Sequence, residues 1–171
     1  SSPAALPCSM VSSFGARPGI SGGFRPGARA FPKAQAAAAR LDYSSEEANF
    51  TLALSELSQK LERRSLIIIF SDFVDTISAE LMVENVKRLS DRHLVVFATF
   101  DDAALAGMVN QEPELSDDVS RAVIAGSLLA ERDIVFKRLR RLGVQIIETT
   151  PEAFGGALIS RYLQIKRREM L

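Results

Sequence analysis

The chain has 171 residues, enough for one domain with a substantial core and short for two. Lys+Arg and Asp+Glu each number 21, so no overall charge draws it to nucleic acid or to an anionic membrane surface. The single cysteine, Cys8, excludes an internal disulfide, no Cys/His spacing suits zinc, and no apolar run approaches the roughly 18 residues of a membrane helix. One thiol suits a reducing compartment, so a cytoplasmic placement is expected. Because the first residue is Ser1, the chain is expected to be a fragment or a processed product, and a longer parent protein would be free to carry a membrane anchor.

Residues 1–40 form a Gly/Pro-rich leading segment. Five of the seven prolines and five of the ten glycines fall before residue 34, and no acid occurs before Asp42. An acid-poor, Arg-containing N-terminus suits a transit peptide, but "GARPGISGGFRPG" holds too much Gly and Pro for an amphipathic helix. A loop-rich or partly disordered segment is expected there. The pattern then becomes regular, and residues 41–171 are expected to form the domain.

Phe50, Leu54, Leu57 and Leu61 recur at helical spacing. "LIIIF", 66–70, is apolar on both sides and predicts a central parallel strand. The next helix is predicted to start on Ser78 as N-cap, with Met82, Val86 and Leu89 on one face. "LVVFATF", 94–100, predicts a second buried strand, followed by a polar stretch around "NQEPELSDD". "VSRAVIAGSLLAERDIVFKRLRRLG" reads as one long helix or as two broken at Gly126, with Gly143 at the C′ position. "VQIIE" predicts a third strand. A last helix begins with Thr150 as N-cap and Pro151 at its first position, and buries Phe154, Leu158, Tyr162 and Ile165. Met82 and Met108 read as packing residues and His93 as a surface or strand-edge residue. The basic runs "KRLRR" and "KRR" read as solvated helix faces, without aromatic interleaving for nucleic acid.

Helices alternating with short two-sided strands predict an α/β domain, a mostly parallel sheet covered by helices on both faces. Ligands of such sheets sit beyond the carboxyl ends of the strands. Ser71, Asp72, Phe73 and Asp75 follow the first strand, Asp101 and Asp102 the second, and Thr149 ends the third. These residues form the expected binding patch, with Phe73 as apolar anchor and the acids favouring a basic protein surface. Each acid is equally well read as a helix cap. Asp72 and Asp75 also suit a magnesium site, or a magnesium-dependent phosphotransfer enzyme, although their spacing is not the DxD that a nucleophile and its helper prefer.

"SLIIIFSDFVDTISAELMVENVKRLSDRHLVVFATFDD" resembles the second half of a von Willebrand factor A-like domain. From about Phe14 to Leu171 the chain is similar to the bacterial family called domain of unknown function 58, through "LDYSSEEANFTLAL", "IIIFSDFVD", "RHLVVFATFDD" and the closing "KRLRRLGVQIIETTPEAFGGALISRYLQIKRREML". The resemblance implies a von Willebrand factor A-like (Rossmann-like) three-layer α/β/α fold, N-terminally truncated, that acts as an interaction module and not as an enzyme. It also implies a partner, a MoxR-type AAA+ ATPase. An intact relative would hold magnesium in a metal-ion-dependent adhesion site built from three loops. Here Asp72, preceded by Ser71, matches the third-loop Asp. Ala48 stands where the second-loop Thr belongs, ahead of Asn49, Ala53 and Leu54, and no DxSxS loop occurs in residues 1–40. The site is therefore expected to be degenerate, with no resident cofactor. The strand that would lie beside Leu66–Phe70 is also expected to be missing, unless residues 1–30 supply one.

Overall fold

A computed structural model describes residues 9–12, 20–24, 32, 36, 39, 49–71, 76–110 and 116–168. The chain divides into two compact units, Ser1–Leu61 and Glu62–Leu171.

The first unit contains strands β1 (Ser9–Ser12) and β2 (Ile20–Phe24), which pair antiparallel with Val11 opposite Ser21 and a register shift between Ser9 and Val11. Two strands thus lie in the segment read as loop-rich. Helix α1 (Phe50–Lys60) follows. Asn49 caps it, its Oδ1 accepting the Leu52 N–H at 2.9 Å, which satisfies one of the orphan donors of the first turn. Ala53 and Leu54 are its buried residues.

The second unit is α/β. Its sheet has the order β3–β4–β5, all parallel: β3 (Leu66–Phe70), β4 (Leu94–Phe100) and β5 (Gln145–Thr149). β4 is the central strand, buried from Leu94 to Thr99. β3, read from its composition as a central strand and from the family resemblance as lacking its other neighbour, pairs with β4 alone among the described strands. Its burial alternates because successive side chains take opposite faces: Ile67 and Ile69 are buried, whereas Leu66 and Ile68, on the α5 face, are only partly covered.

Helix α2 (Thr76–Ser90) joins β3 to β4. It starts two residues before the expected cap, so Ser78 lies inside the first turn. Met82, Val86 and Leu89 are fully buried, as the helical spacing predicts. β4 and β5 are joined by α3 (Ala103–Asn110) and α4 (Ser116–Arg141). The sequence reading missed α3, a short helix that owes its start to a side-chain cap described below. α4 is continuous for 26 residues through Gly126. One interior glycine costs about 1 kcal/mol relative to alanine, which a helix packed over this length absorbs.

α4 ends in a Schellman motif. Val144 N–H donates to Leu139 O at 3.1 Å and Gly143 N–H to Arg140 O at 3.0 Å, with Gly143 at φ 80. Leu139 and Val144, the accompanying apolar pair, are both buried. Helix α5 (Pro151–Arg167) follows β5 at once, and Thr150 Oγ1 accepts the Ala153 N–H at 3.4 Å. Thr150 and Pro151 therefore occupy the expected positions.

Alternation along the strands decides what each helix covers. Leu94, Val96, Ala98 and Ile147 face α5 and share a core with Ile165, against which Leu66, Ile68, Phe154, Ala157 and Leu158 pack. On the opposite face Phe97 meets Phe136 of α4 with ring centroids 6.3 Å apart. Three expectations about single residues fail. Tyr162 and Met108 are exposed, each at 42%, because their helices turn those positions away from the sheet. His93, expected at the surface, is 4% exposed. Its backbone N–H closes the end of α2 on Leu89 O at 2.8 Å, and this tucks the imidazole beneath the start of β3, where Nδ1 accepts the Ser65 N–H at 3.3 Å.

Among the described residues, no helix is long and apolar enough to cross a membrane.

Candidate functional site

The carboxyl ends of β3, β4 and β5 lie side by side, because the strands are parallel. Ser71, half-buried, continues β3 by donating its N–H to Ala98 O at 3.3 Å. Asp101 continues β4 by donating its N–H to Thr149 O at 3.1 Å, and its side chain is exposed. Backbone pairing thus brings Ser71, Asp101 and Thr149 to one rim. Asp72, Phe73 and Asp75 lie outside the described residues.

Asp102 has a structural task. Its Oδ1 accepts the Leu105 N–H at 3.0 Å and its carbonyl accepts the Ala106 N–H at 3.0 Å, so it is the N-cap of α3. Glu152 lies in the first turn of α5, where Thr150 is the cap. Its own backbone N–H, and then the Thr150 hydroxyl, hold its carboxyl below the ordinary carboxylate range. Of the acids described at this rim, Asp101 is the one left to face solvent without such a role.

Two aromatic residues that the sequence reading left inside the strands reach the surface here. Phe70 ends β3 and is 55% exposed, and Phe100 ends β4 and is 49% exposed. Both sit on the α5 face and flank the half-buried Phe154, with centroid separations of 5.5 Å from Phe70 and 5.4 Å from Phe100. Such tilted and edge-on contacts suit aromatic quadrupoles. α5 begins at this end with small residues after Phe154 (Gly155 and Gly156), so little covers the outer faces of the rings. The signal in the sequence was the parity of Leu66, Ile68, Phe70 and of Val96, Ala98, Phe100, which puts both phenylalanines on one face.

Arg132 secures the same end from the other side of the sheet. It lies in the buried stripe of α4 between Ala125 and Val135 and is 8% exposed. Its Nη2 donates to Thr99 Oγ1 at 3.3 Å and to the Phe100 carbonyl, and pairs with Glu148 Oε1 at 3.3 Å. The guanidinium lies 5.3 Å from the Phe136 ring centroid. One side chain thus ties α4, β4 and β5 together beneath the rim. Sequence reasoning missed it, although an arginine at a buried helical position was the available clue.

Asp72, the acid that the family resemblance matches to magnesium, lies outside the described residues, as does Asp75. Among the described residues no group of three His, Cys, Asp or Glu side chains converges. Asp102 Oδ1 is engaged in a helix cap. Magnesium needs several oxygens in near-octahedral order. What the rim does offer is a cluster of aromatic rings beside an exposed carboxylate, an arrangement that receives the aliphatic stem and cationic head of Lys or Arg.

No family model matches the chain, and neither a curated protein nor a solved structure matches it.

Proposed function

We propose that the chain is a non-enzymatic protein-interaction module of the von Willebrand factor A type, working in the cytoplasm with a MoxR-type AAA+ ATPase. The observation that carries the binding site is the exposed pair Phe70 and Phe100 around Phe154, at the carboxyl ends of parallel strands. Support for the fold type comes from the parallel sheet with α5 on one face and α4 on the other. Support for the partner is the family resemblance of the sequence.

Partner contact is centred on the two phenylalanines, with Asp101 favouring a basic residue on the other surface. Aromatic anchors dominate interface energetics, and truncating one commonly costs about 2 kcal/mol or more. The test is co-purification with a MoxR-type ATPase from a host that encodes one, comparing the wild type with Phe70→Ala/Phe100→Ala. The double variant should lose the complex by roughly thirtyfold or more in affinity while keeping its melting transition. A folded double variant that keeps the complex at full strength places the site elsewhere.

A further inference from the structure

The balanced total charge conceals a polar arrangement. In this parallel α/β unit α2, α4 and α5 run back against the strands, so their C-termini and the strand starts meet at the amino end of the sheet. Arg63 and Arg64 lead into β3, and Ser65 O accepts the Leu94 N–H at 2.9 Å, which sets this connection beside the start of β4. Lys87 and Arg88 close α2, and Arg92 follows before β4. Arg140 and Arg141 close α4 ahead of β5. α5 returns to the same end, since its Ile165 shares a core with Leu94, and it brings Arg167 and Arg168 there. All of these side chains are exposed.

The acids on these connections are Glu62 and Asp91, with Glu84 one turn back on α2. Among the described residues, the ion pairs engage Arg121, Arg132, Lys137 and Arg138 and none of the cations just named. Helix dipoles favour the basic residues in the last turns, but that effect fades beyond the last turn. Arg63, Arg64 and Arg92 lie outside the helices. Holding so many like charges together is unfavourable unless a polyanion neutralises them.

We infer that the amino end of the sheet is a docking face for the phosphodiester backbone of double-stranded nucleic acid, recognised by charge and not by base identity. Arginine outnumbers lysine on this face, and its planar fork matches phosphate oxygens two at a time. The strand-entering connections carry no aromatic side chain on which an unpaired base could stack, which favours a duplex over a single strand. Three strands about 4.8 Å apart, with a helix layer about 10 Å away on either face, spread the cations over roughly 20 Å. Duplex DNA presents about a dozen phosphate charges over that length.

The experiment is fluorescence anisotropy with a labelled duplex of about 20 base pairs across a salt series, using the full chain. Binding should weaken with salt along a log–log slope between about −3 and −5, the signature of a few neutralised phosphates. The triple variant Arg92→Glu/Arg141→Glu/Arg168→Glu should bind at least tenfold more weakly at low salt. Phe70→Ala/Phe100→Ala should bind the duplex like the wild type, which separates this inference from the binding site at the other end. If circular dichroism shows that the triple variant does not fold, Arg168→Glu alone should make the slope shallower by about one. The inference is overturned by no binding at low salt, by a slope near zero, or by charge-reversed variants that bind as the wild type does. Binding to phosphatidylglycerol vesicles without binding to the duplex overturns it as well, in favour of a lipid surface.

Discussion

The two ends of the three-stranded sheet are built from the same strands and present opposite surfaces. At the carboxyl end the charged groups are largely engaged within the molecule: Asp102 caps α3, Glu152 is held at the start of α5, and Glu148 faces Arg132. That end shows to solvent the outer faces of Phe70 and Phe100, with the acids Asp101, Glu148 and Glu152 around them. At the amino end the apolar groups Leu94, Leu139, Val144 and Ile165 are buried together with His93, and arginines face solvent. Parallel topology produces the contrast, because it sends strand ends to one side and helix C-termini to the other. The difference teaches that a neutral chain can still present two surfaces of opposite character. Contacts on the apolar one would resist salt, and contacts on the charged one would yield to it.

The sharpest way to break the contrast is to remove the side chain that organises the carboxyl end. Arg132→Ala deletes a buried cation bonded to Thr99, the Phe100 carbonyl and Glu148. Leaving the buried Thr99 hydroxyl and Phe100 carbonyl without this donor, with the lost packing of the side chain, costs about 2–3 kcal/mol, whereas the Glu148 carboxylate, 38% exposed, takes up water and adds little. Urea unfolding should show the midpoint falling at unchanged slope. Glu148→Ala should cost less, about 1–2 kcal/mol, since Arg132 keeps its bonds to Thr99 and the Phe100 carbonyl. A loss below about 0.5 kcal/mol for Arg132→Ala, the range of surface substitutions, would mean that this end holds together without the tie.

The sheet was legible in the sequence because its signals are local. Apolar runs of strand length found β3, β4 and β5, and Gly143, Thr150 and Pro151 marked helix ends by backbone constraints that only a few residue types satisfy. Strand order was not legible. β3 is as apolar as a central strand, and composition alone does not reveal which neighbours a strand has. Of the candidate site, Ser71, Asp101 and Asp102 could be placed at strand ends by counting from the apolar runs. The exposure of Phe70 and Phe100 could not, because strand parity says which face a residue takes and nothing about how far a helix covers that face. His93 and Arg132 were missed because polar residues are expected outside, and both are buried by long-range contacts, with Ser65 and with Thr99. The amino-end cations are scattered over three connections and the end of α5 in the sequence, and only the topology collects them.

A second way to sharpen the comparison uses pH, which acts on the buried titratable group of the amino end. Burial, and then the charge of Arg92, push the His93 imidazole below its ordinary value of 6.5, against a smaller opposing pull from the Arg63 carbonyl. Because the folded-state pKa lies below the unfolded one, the unfolded chain binds more protons across that window. Stability is therefore complete above about pH 6.5 and declines as pH falls from there towards the folded-state value. Protonation also turns Nδ1 from an acceptor into a donor facing the Ser65 N–H. Urea midpoints at roughly pH 7.5 and pH 5.5 should differ for the wild type and converge for His93→Gln, which cannot titrate. Equal wild-type midpoints at the two values would show that the imidazole finds water when protonated.

The smallest effect separates two adjacent acids at the carboxyl end. Asp102 accepts a backbone N–H as the cap of α3, whereas the Asp101 carboxylate faces solvent. Asp102→Ala should cost about 1 kcal/mol, the usual loss of an N-cap, and Asp102→Asn or Asp102→Ser should restore most of it. Asp101→Ala should change stability by less than about 0.5 kcal/mol, as surface substitutions do. The order should reverse in binding. Asp101→Ala should slow association with a basic partner and flatten its salt dependence, because an exposed charge at a rim acts mainly on the on-rate. Asp102→Ala should leave both nearly unchanged once its stability loss is allowed for. Thermal unfolding and stopped-flow association on the same pair of variants read the two effects independently. If Asp101→Ala proves as destabilising as Asp102→Ala and leaves association untouched, the acids of this end are caps alone, and recognition there rests on the phenylalanines.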